Sequence, residues 1–193
     1  MKEQLSLARQ MIKRPYVLGP REGWHKSRGR LVYDPKRSNK NNTQEWLVME
    51  VDREITRYFR WMVDRHIMNI TGAENHGILH PSGDAHVSVL RGRNDLRGVP
   101  KAHAAAMWKK YDGREVDFYY NPVVYLARAE FWCVDIITPW TLEVRSEEWD
   151  LPSDYGLHLT IGRMRDHWLE DNWRQVKDTR LISPHYRGRE RNA

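Results

Sequence analysis

The chain is poor in residues that build several common kinds of site. Among its 193 residues there is one cysteine, Cys133, which excludes an internal disulfide framework and a four-cysteine zinc site. Within Phe131-Trp-Cys-Val-Asp-Ile-Ile that thiol reads as a small buried hydrophobe. No apolar run approaches the roughly 18 residues of a membrane-spanning helix. The first residues, Met-Lys-Glu-Gln-Leu-Ser-Leu, lack an apolar secretory core, so a cytoplasmic location is expected. No Gly-rich phosphate loop and no Gly-x-Ser-x-Gly elbow occurs, which removes nucleoside-triphosphatase and serine-hydrolase readings.

What is present points towards phosphate. A 40% hydrophobic content suffices for a core, and the length predicts one domain over residues 1–193. That domain carries a basic segment over 1–41 and a basic tail over 178–193. The net charge is +6 and there are nine tryptophans; cations attract phosphates, and aromatic faces stack on bases. From Arg9 to Lys40 ten Lys or Arg stand against Glu22 and Asp34. That stretch reads as a solvated basic arm, interleaved with Tyr16, Trp24 and Tyr33.

A helix is expected from a cap at Asn42, because Leu47, Val51, Ile55, Phe59, Met62 and Ile67 form one apolar stripe that Gly72 ends. The pattern changes to period two in His86-Val-Ser-Val-Leu-Arg. A shorter helix is expected at about 101–110. Further β-rich runs follow at 116–120, 123–127, 130–137 and 141–144, with Asn121-Pro122 and Thr138-Pro139 between them. A last strand is expected at 157–162 and a helix from Met164 to about Lys177. This order predicts an α+β fold with largely antiparallel sheet.

Two strands carry one short pattern, His86-Val87-Ser88-Val89 and His158-Leu159-Thr160-Ile161, and each is followed by an arginine, Arg91 or Arg163. Residues i and i+2 of a strand share a face. Each strand therefore offers an imidazole and a hydroxyl side by side, backed by an apolar layer. Imidazole titrates near pH 6.5, so one copy can take a proton from an attacking oxygen while the other gives one to the leaving oxygen. Ser88 and Thr160 would hydrogen-bond the non-bridging oxygens of a phosphodiester held between them. The pattern leaves open which imidazole is base and which acid.

Two His-x-Ser/Thr-x motifs on matching strands resemble those of the two-histidine (2H) phosphoesterase superfamily. The resemblance implies a bilobal, pseudo-symmetric fold whose antiparallel sheets flank a central cleft, and cleavage of phosphodiesters without metal or other cofactor. Within the superfamily, His86-Val-Ser-Val-Leu-Arg-Gly and the long preceding helix are similar to the phage anti-CBASS phosphodiesterases, which destroy cyclic-oligonucleotide alarm signals in the host bacterial cytoplasm. That similarity implies a cyclic di- or trinucleotide substrate, opened at a 3′–5′ linkage through a 2′,3′-cyclic phosphate. It implies neither a membrane partner nor a stable nucleic-acid complex. It also implies base-holding aromatics near both ends, for which Tyr16, Trp168 and Trp173 are the candidates.

Other readings compete. A 2H enzyme could act on linear RNA, at 2′,3′-cyclic ends or 2′–5′ linkages, and a basic, Trp-rich binding protein could hold the two histidines structurally. His76, His80, Asp84 and His86 suggest a zinc cluster, but Gly77 and Pro81 disfavour the helical turn that a His-x-x-x-His pair needs.

Overall fold

The computed structural model describes residues 23–33, 46–72, 78–79, 85–91, 95, 106, 109–127, 131–138, 145, 156–164, 176 and 179–183. Eight strands run in the order β1 (His25–Tyr33), β2 (Trp46–Glu50), β3 (Ile78–Leu79), β4 (His86–Arg91), β5 (Glu115–Ala127), β6 (Phe131–Ile137), β7 (His158–Met164) and β8 (Arg180–Ile182). One long helix, α1 (Arg53–Thr71), follows β2.

Six of the strands form a closed antiparallel ring, β1-β2-β4-β7-β6-β5, because β1 pairs with β5 as well as with β2. β3 lies against β7 and β8 against β5. This overturns the expected bilobal α+β fold with sheets flanking a cleft: the described residues are mostly strand, and the strands close as a barrel. The cause lies in β1. Residues 25–33 fall in the stretch read as a solvated basic arm, yet they zip along β5 from His25↔Tyr120 to Arg30↔Glu115. Closure removes the unpaired edges that two separate sheets would leave.

Alternation decides what fills the ring. Leu31 pairs with Met49, Met49 with Val87, Val87 with Leu159, Leu159 with Val134 and Val134 with Val124. This belt takes one residue from each ring strand, and all six are 0% exposed. Phe118 and Trp132 are also fully buried. On β1 the intervening residues face out, where Lys26 meets Asp117 at 2.6 Å and Arg28 meets Glu115 at 3.6 Å. Two of the basic residues expected to bind phosphate, Lys26 and Arg28, are thus opposed by acids on β5.

The predicted helix is shorter than expected. Residues 46–50 are strand β2, and α1 starts at Arg53, with the Asp52 carboxylate accepting from the Glu54 amide at 2.9 Å as N-cap. A short buried apolar run such as Trp46-Leu-Val-Met reads alike as strand or helix, since both faces are covered. The later stripe holds: Phe59, Met62, Val63 and Ile67 are buried and continuous with the barrel core. Gly72 closes the helix at φ 66°, its amide reaching the Met68 carbonyl, a conformation open to glycine without a Cβ penalty.

The two β-rich runs around Asn121-Pro122 are one 13-residue strand, β5, with a register shift between Tyr120 and Val124. Proline lacks an amide hydrogen and so belongs at such an irregularity; the Pro122 carbonyl instead accepts from the Ser183 amide at 2.9 Å. Part of the basic tail is likewise structured, since Arg180–Ile182 is β8. The expected helices at 101–110 and 164–177, and the run 141–144, lie largely or wholly outside the described residues.

Candidate functional site

The four motif residues lie on the barrel's outer face. Val87 and Leu159 point inward in the belt, so their neighbours His86, Ser88, His158 and Thr160 point outward. Val87↔Leu159 is the pair that joins β4 to β7; an antiparallel register extended one residue to either side of it would place His86 towards Thr160 and Ser88 towards His158. Directly opposed side chains are about 4.5–5.5 Å apart at Cβ and diagonal ones about 7–8 Å. The two imidazoles are the diagonal pair. Two residues 72 positions apart in sequence are thereby brought to one patch, with a hydroxyl beside each.

The flanking strands extend both rows. Glu50 on β2 pairs with His86, and Asp135 on β6 pairs with His158. Val48 pairs with Ser88 and Cys133 with Thr160. One row thus reads Glu50, His86, Thr160, Cys133; the next reads Val48, Ser88, His158, Asp135. A local two-fold axis at the Val87–Leu159 pair exchanges the rows. It relates β4 to β7 and Trp46-Leu-Val-Met-Glu50 to Phe131-Trp-Cys-Val-Asp135. Even the irregularities match, since Val89 and Ile161 are each the extra residue of a bulge, one position past the hydroxyl.

Burial grades the patch. Val48 and Cys133 are fully or nearly fully buried, His86, Ser88, Thr160, Glu50 and Asp135 are half-buried, and His158 is exposed. His158 Nδ1 lies 3.0 Å from the Gly156 carbonyl. A carbonyl only accepts, so Nδ1 carries the hydrogen and Nε2 is the atom left to exchange a proton. The Tyr125 hydroxyl on β5 donates to Asp135 Oδ1 at 2.6 Å, and burial together with that bond pushes the phenol well above its ordinary range. The two-fold mate of Tyr125 is Val32, which has no such donor, so the half-sites differ.

Arginines bracket the quartet. Arg91 ends β4 and Arg163 is the penultimate residue of β7, opposite Trp46 and Phe131. Arg163 is exposed, its guanidinium 5.9 Å from the Phe131 ring centre. Arg91 is tied to Asp95 by a 3.2 Å ion pair. Burial alone would raise the Asp95 carboxyl, but the Arg91 amide and guanidinium and the nearby Arg145 hold it below the usual carboxylate value.

The structure therefore brings His86, Ser88, His158 and Thr160 together. Tyr16, Trp168 and Trp173 lie outside the described residues, as do His76, His80 and Asp84. Among the described residues no group of three or more His, Cys, Asp or Glu could hold a metal ion, and no helix is long and apolar enough to cross a membrane. The same patch holds Glu50 and Asp135, which sequence reasoning did not single out. The signal was the second half of the repeat, in which an aromatic, three largely apolar residues and an acid recur at 46–50 and 131–135. No family model, curated protein or solved structure matches the chain.

Proposed function

We propose that the protein is a metal-independent phosphodiesterase using His86 and His158 as the acid–base pair. The observation that carries this reading is the Val87–Leu159 pairing, which sets two imidazoles diagonally with a hydroxyl beside each. A phosphodiester between them would have its attacking oxygen near one Nε2 and its leaving oxygen near the other. In the first step the ribose 2′-oxygen attacks phosphorus and loses its proton to the neutral imidazole. The 5′-oxygen departs with a proton from the imidazolium, leaving a 2′,3′-cyclic phosphate. In the second step water attacks with the roles reversed, and a 3′-phosphate results. Ser88 and Thr160 donate to the non-bridging oxygens where negative charge grows, with the exposed Arg163 at the rim of the same face.

Cyclic di- and trinucleotides are the substrates proposed, on the strength of the motif's resemblance to the anti-CBASS enzymes. The test is incubation of the full-length protein with 3′–5′ cyclic di- and trinucleotides and with 2′,3′-cyclic-ended RNA, in excess EDTA. Products are resolved by chromatography. Ring opening to 3′-phosphate products is expected. Cleavage of RNA ends alone would move the substrate to linear RNA, and no cleavage of any substrate would overturn the reading.

A further inference from the structure

We propose that the outer face of α1 binds single-stranded nucleic acid, with Trp61 as the platform for a base and Arg57 and Arg65 as its phosphate contacts. The inference goes beyond the two-histidine reading and does not depend on it. α1 turns one face, with Phe59, Met62, Val63 and Ile67, into the core. On the other, Arg57, Trp61 and Arg65 follow at four-residue steps and all are exposed. Such a spacing makes one row, with about 6 Å of rise between neighbours. Trp61 is 53% exposed, so most of its ring is open to a partner.

The indole is nevertheless held in place. The Tyr58 ring lies 6.2 Å from it at a tilt of 31°, and the Tyr58 hydroxyl is 2.9 Å from Ser183 Oγ, just past β8. One turn on, the Arg65 guanidinium sits 5.7 Å from the Trp61 ring centre. A ring already fixed loses little freedom when a base stacks on it. Charge then selects the occupant. Arg65 has no ion pair with an acid among the described residues. Arg57 meets Glu54 at 2.7 Å, but both side chains are exposed, and a phosphate can compete for so weak a pair. The remaining acid of the helix, Asp64, acts on the half-buried Arg60. A second copy of the chain would set these arginines against each other. A membrane surface needs a broad apolar face, which α1 has turned to the core. A duplex keeps its bases stacked on one another, whereas a single strand offers free rings together with phosphates.

The probe is a fluorescein-labelled dT12 oligonucleotide, which lacks the 2′-hydroxyl and so cannot enter the proposed cleavage. Binding to the full-length protein is followed by anisotropy between about 50 and 200 mM salt. Trp61→Ala and Trp61→Leu are expected to weaken it by about 5- to 150-fold, the usual loss for one stacked base, while Trp61→Phe keeps most of it. Arg57→Gln and Arg65→Gln should each flatten the slope of log K against log salt by about 0.7. Ultraviolet crosslinking of the 5-iodouracil form should label the peptide that contains Trp61. His158→Ala should leave binding unchanged. Equal affinity for Trp61→Ala and wild type, crosslinks confined to other peptides, or a duplex bound as tightly as dT12 overturns the inference. Binding to phosphatidylserine vesicles without binding to dT12 assigns the face to a membrane and overturns it too. A protein that binds dT12 through Trp61 but cleaves no phosphodiester leaves this surface standing and overturns only the proposed activity.

Discussion

Arg145 donates through Nη1 to the carbonyl oxygen of Val89 at 2.6 Å, so a guanidinium that is 2% exposed props the bulged residue of the strand that carries His86. The same nitrogen lies 3.3 Å from Asp95 Oδ2, which Arg91 also engages. The His86 strand is thus held from behind by a buried cation and its carboxylate. Breaking a buried pair by removing one partner leaves an uncompensated charge. Asp95→Asn is expected to cost about 3–5 kcal/mol in urea unfolding at pH 7. A loss within 0.5 kcal/mol would show the pair to be structurally idle.

The same carboxylate sets an acid sensitivity. Its value in the folded protein is depressed, so the unfolded chain takes up the proton first as pH falls. The stabilisation is complete above the unfolded value near pH 3.9 and is lost as pH drops through the lower folded value. The stability gap between wild type and Asp95→Asn should therefore be constant from pH 7 to 5 and shrink below pH 4. Thermal melts across that range check it, and a gap that widens on acidification contradicts the assignment.

For the two histidines, stability and turnover should separate. His158 is exposed and His86 half-buried, both on the outer face, so His158→Ala should leave the melting temperature nearly unchanged. Either alanine variant is expected to lower the rate of cyclic-oligonucleotide opening by about 10²–10⁴-fold, the usual contribution of a positioned proton donor or acceptor. Equilibrium binding of the same nucleotide should persist. Full turnover in either variant removes that imidazole from the mechanism.

Trp132 tests the core beneath the site. It is 0% exposed, and its indole nitrogen lies 2.9 Å from the Met164 sulfur. Trp132→Ala removes the largest fully buried side chain among the described residues and should cost about 3–5 kcal/mol, read from denaturant melts. Trp132→Phe keeps most of the volume and should cost clearly less.

Gly29 marks where β1 closes the ring. A Cβ there would meet Met49 Cγ at 2.5 Å and the Glu50 carbonyl oxygen at 2.9 Å. Met49 can turn, but the carbonyl belongs to the strand that carries Glu50. Gly29→Ala is expected to destabilise by about 1–3 kcal/mol through overpacking. A variant as stable as wild type would show that β1 can shift outward without opening the barrel.

Much of the candidate site was legible because strand alternation is a local property. His86 with Ser88, and His158 with Thr160, share a face wherever those strands go, since Cβ direction follows from the backbone one residue at a time. Cys133 as a buried hydrophobe and the α1 stripe from Phe59 to Ile67 follow from equally short-range patterns. Residues 46–50 misled because a strand covered on both faces shows no period, and Leu47 with Val51 happened to continue the helical stripe. The basic arm misled for another reason. Its charges predicted solvent on one face of β1 correctly, but their neutralising acids sit some 90 positions away on β5.

Alternation along the chain assigns each side chain a face; it does not choose which strand lies beside it. That choice comes from long-range pairing, where β1 meets β5 and β4 meets β7, and it has no local signature. The closed barrel in place of two lobes, Glu50 beside His86 and Asp135 beside His158 all depend on it. So the motifs named the chemistry that each strand could offer. The register at Val87 and Leu159 decided which of those groups share one patch, because only pairing fixes which side chains stand side by side.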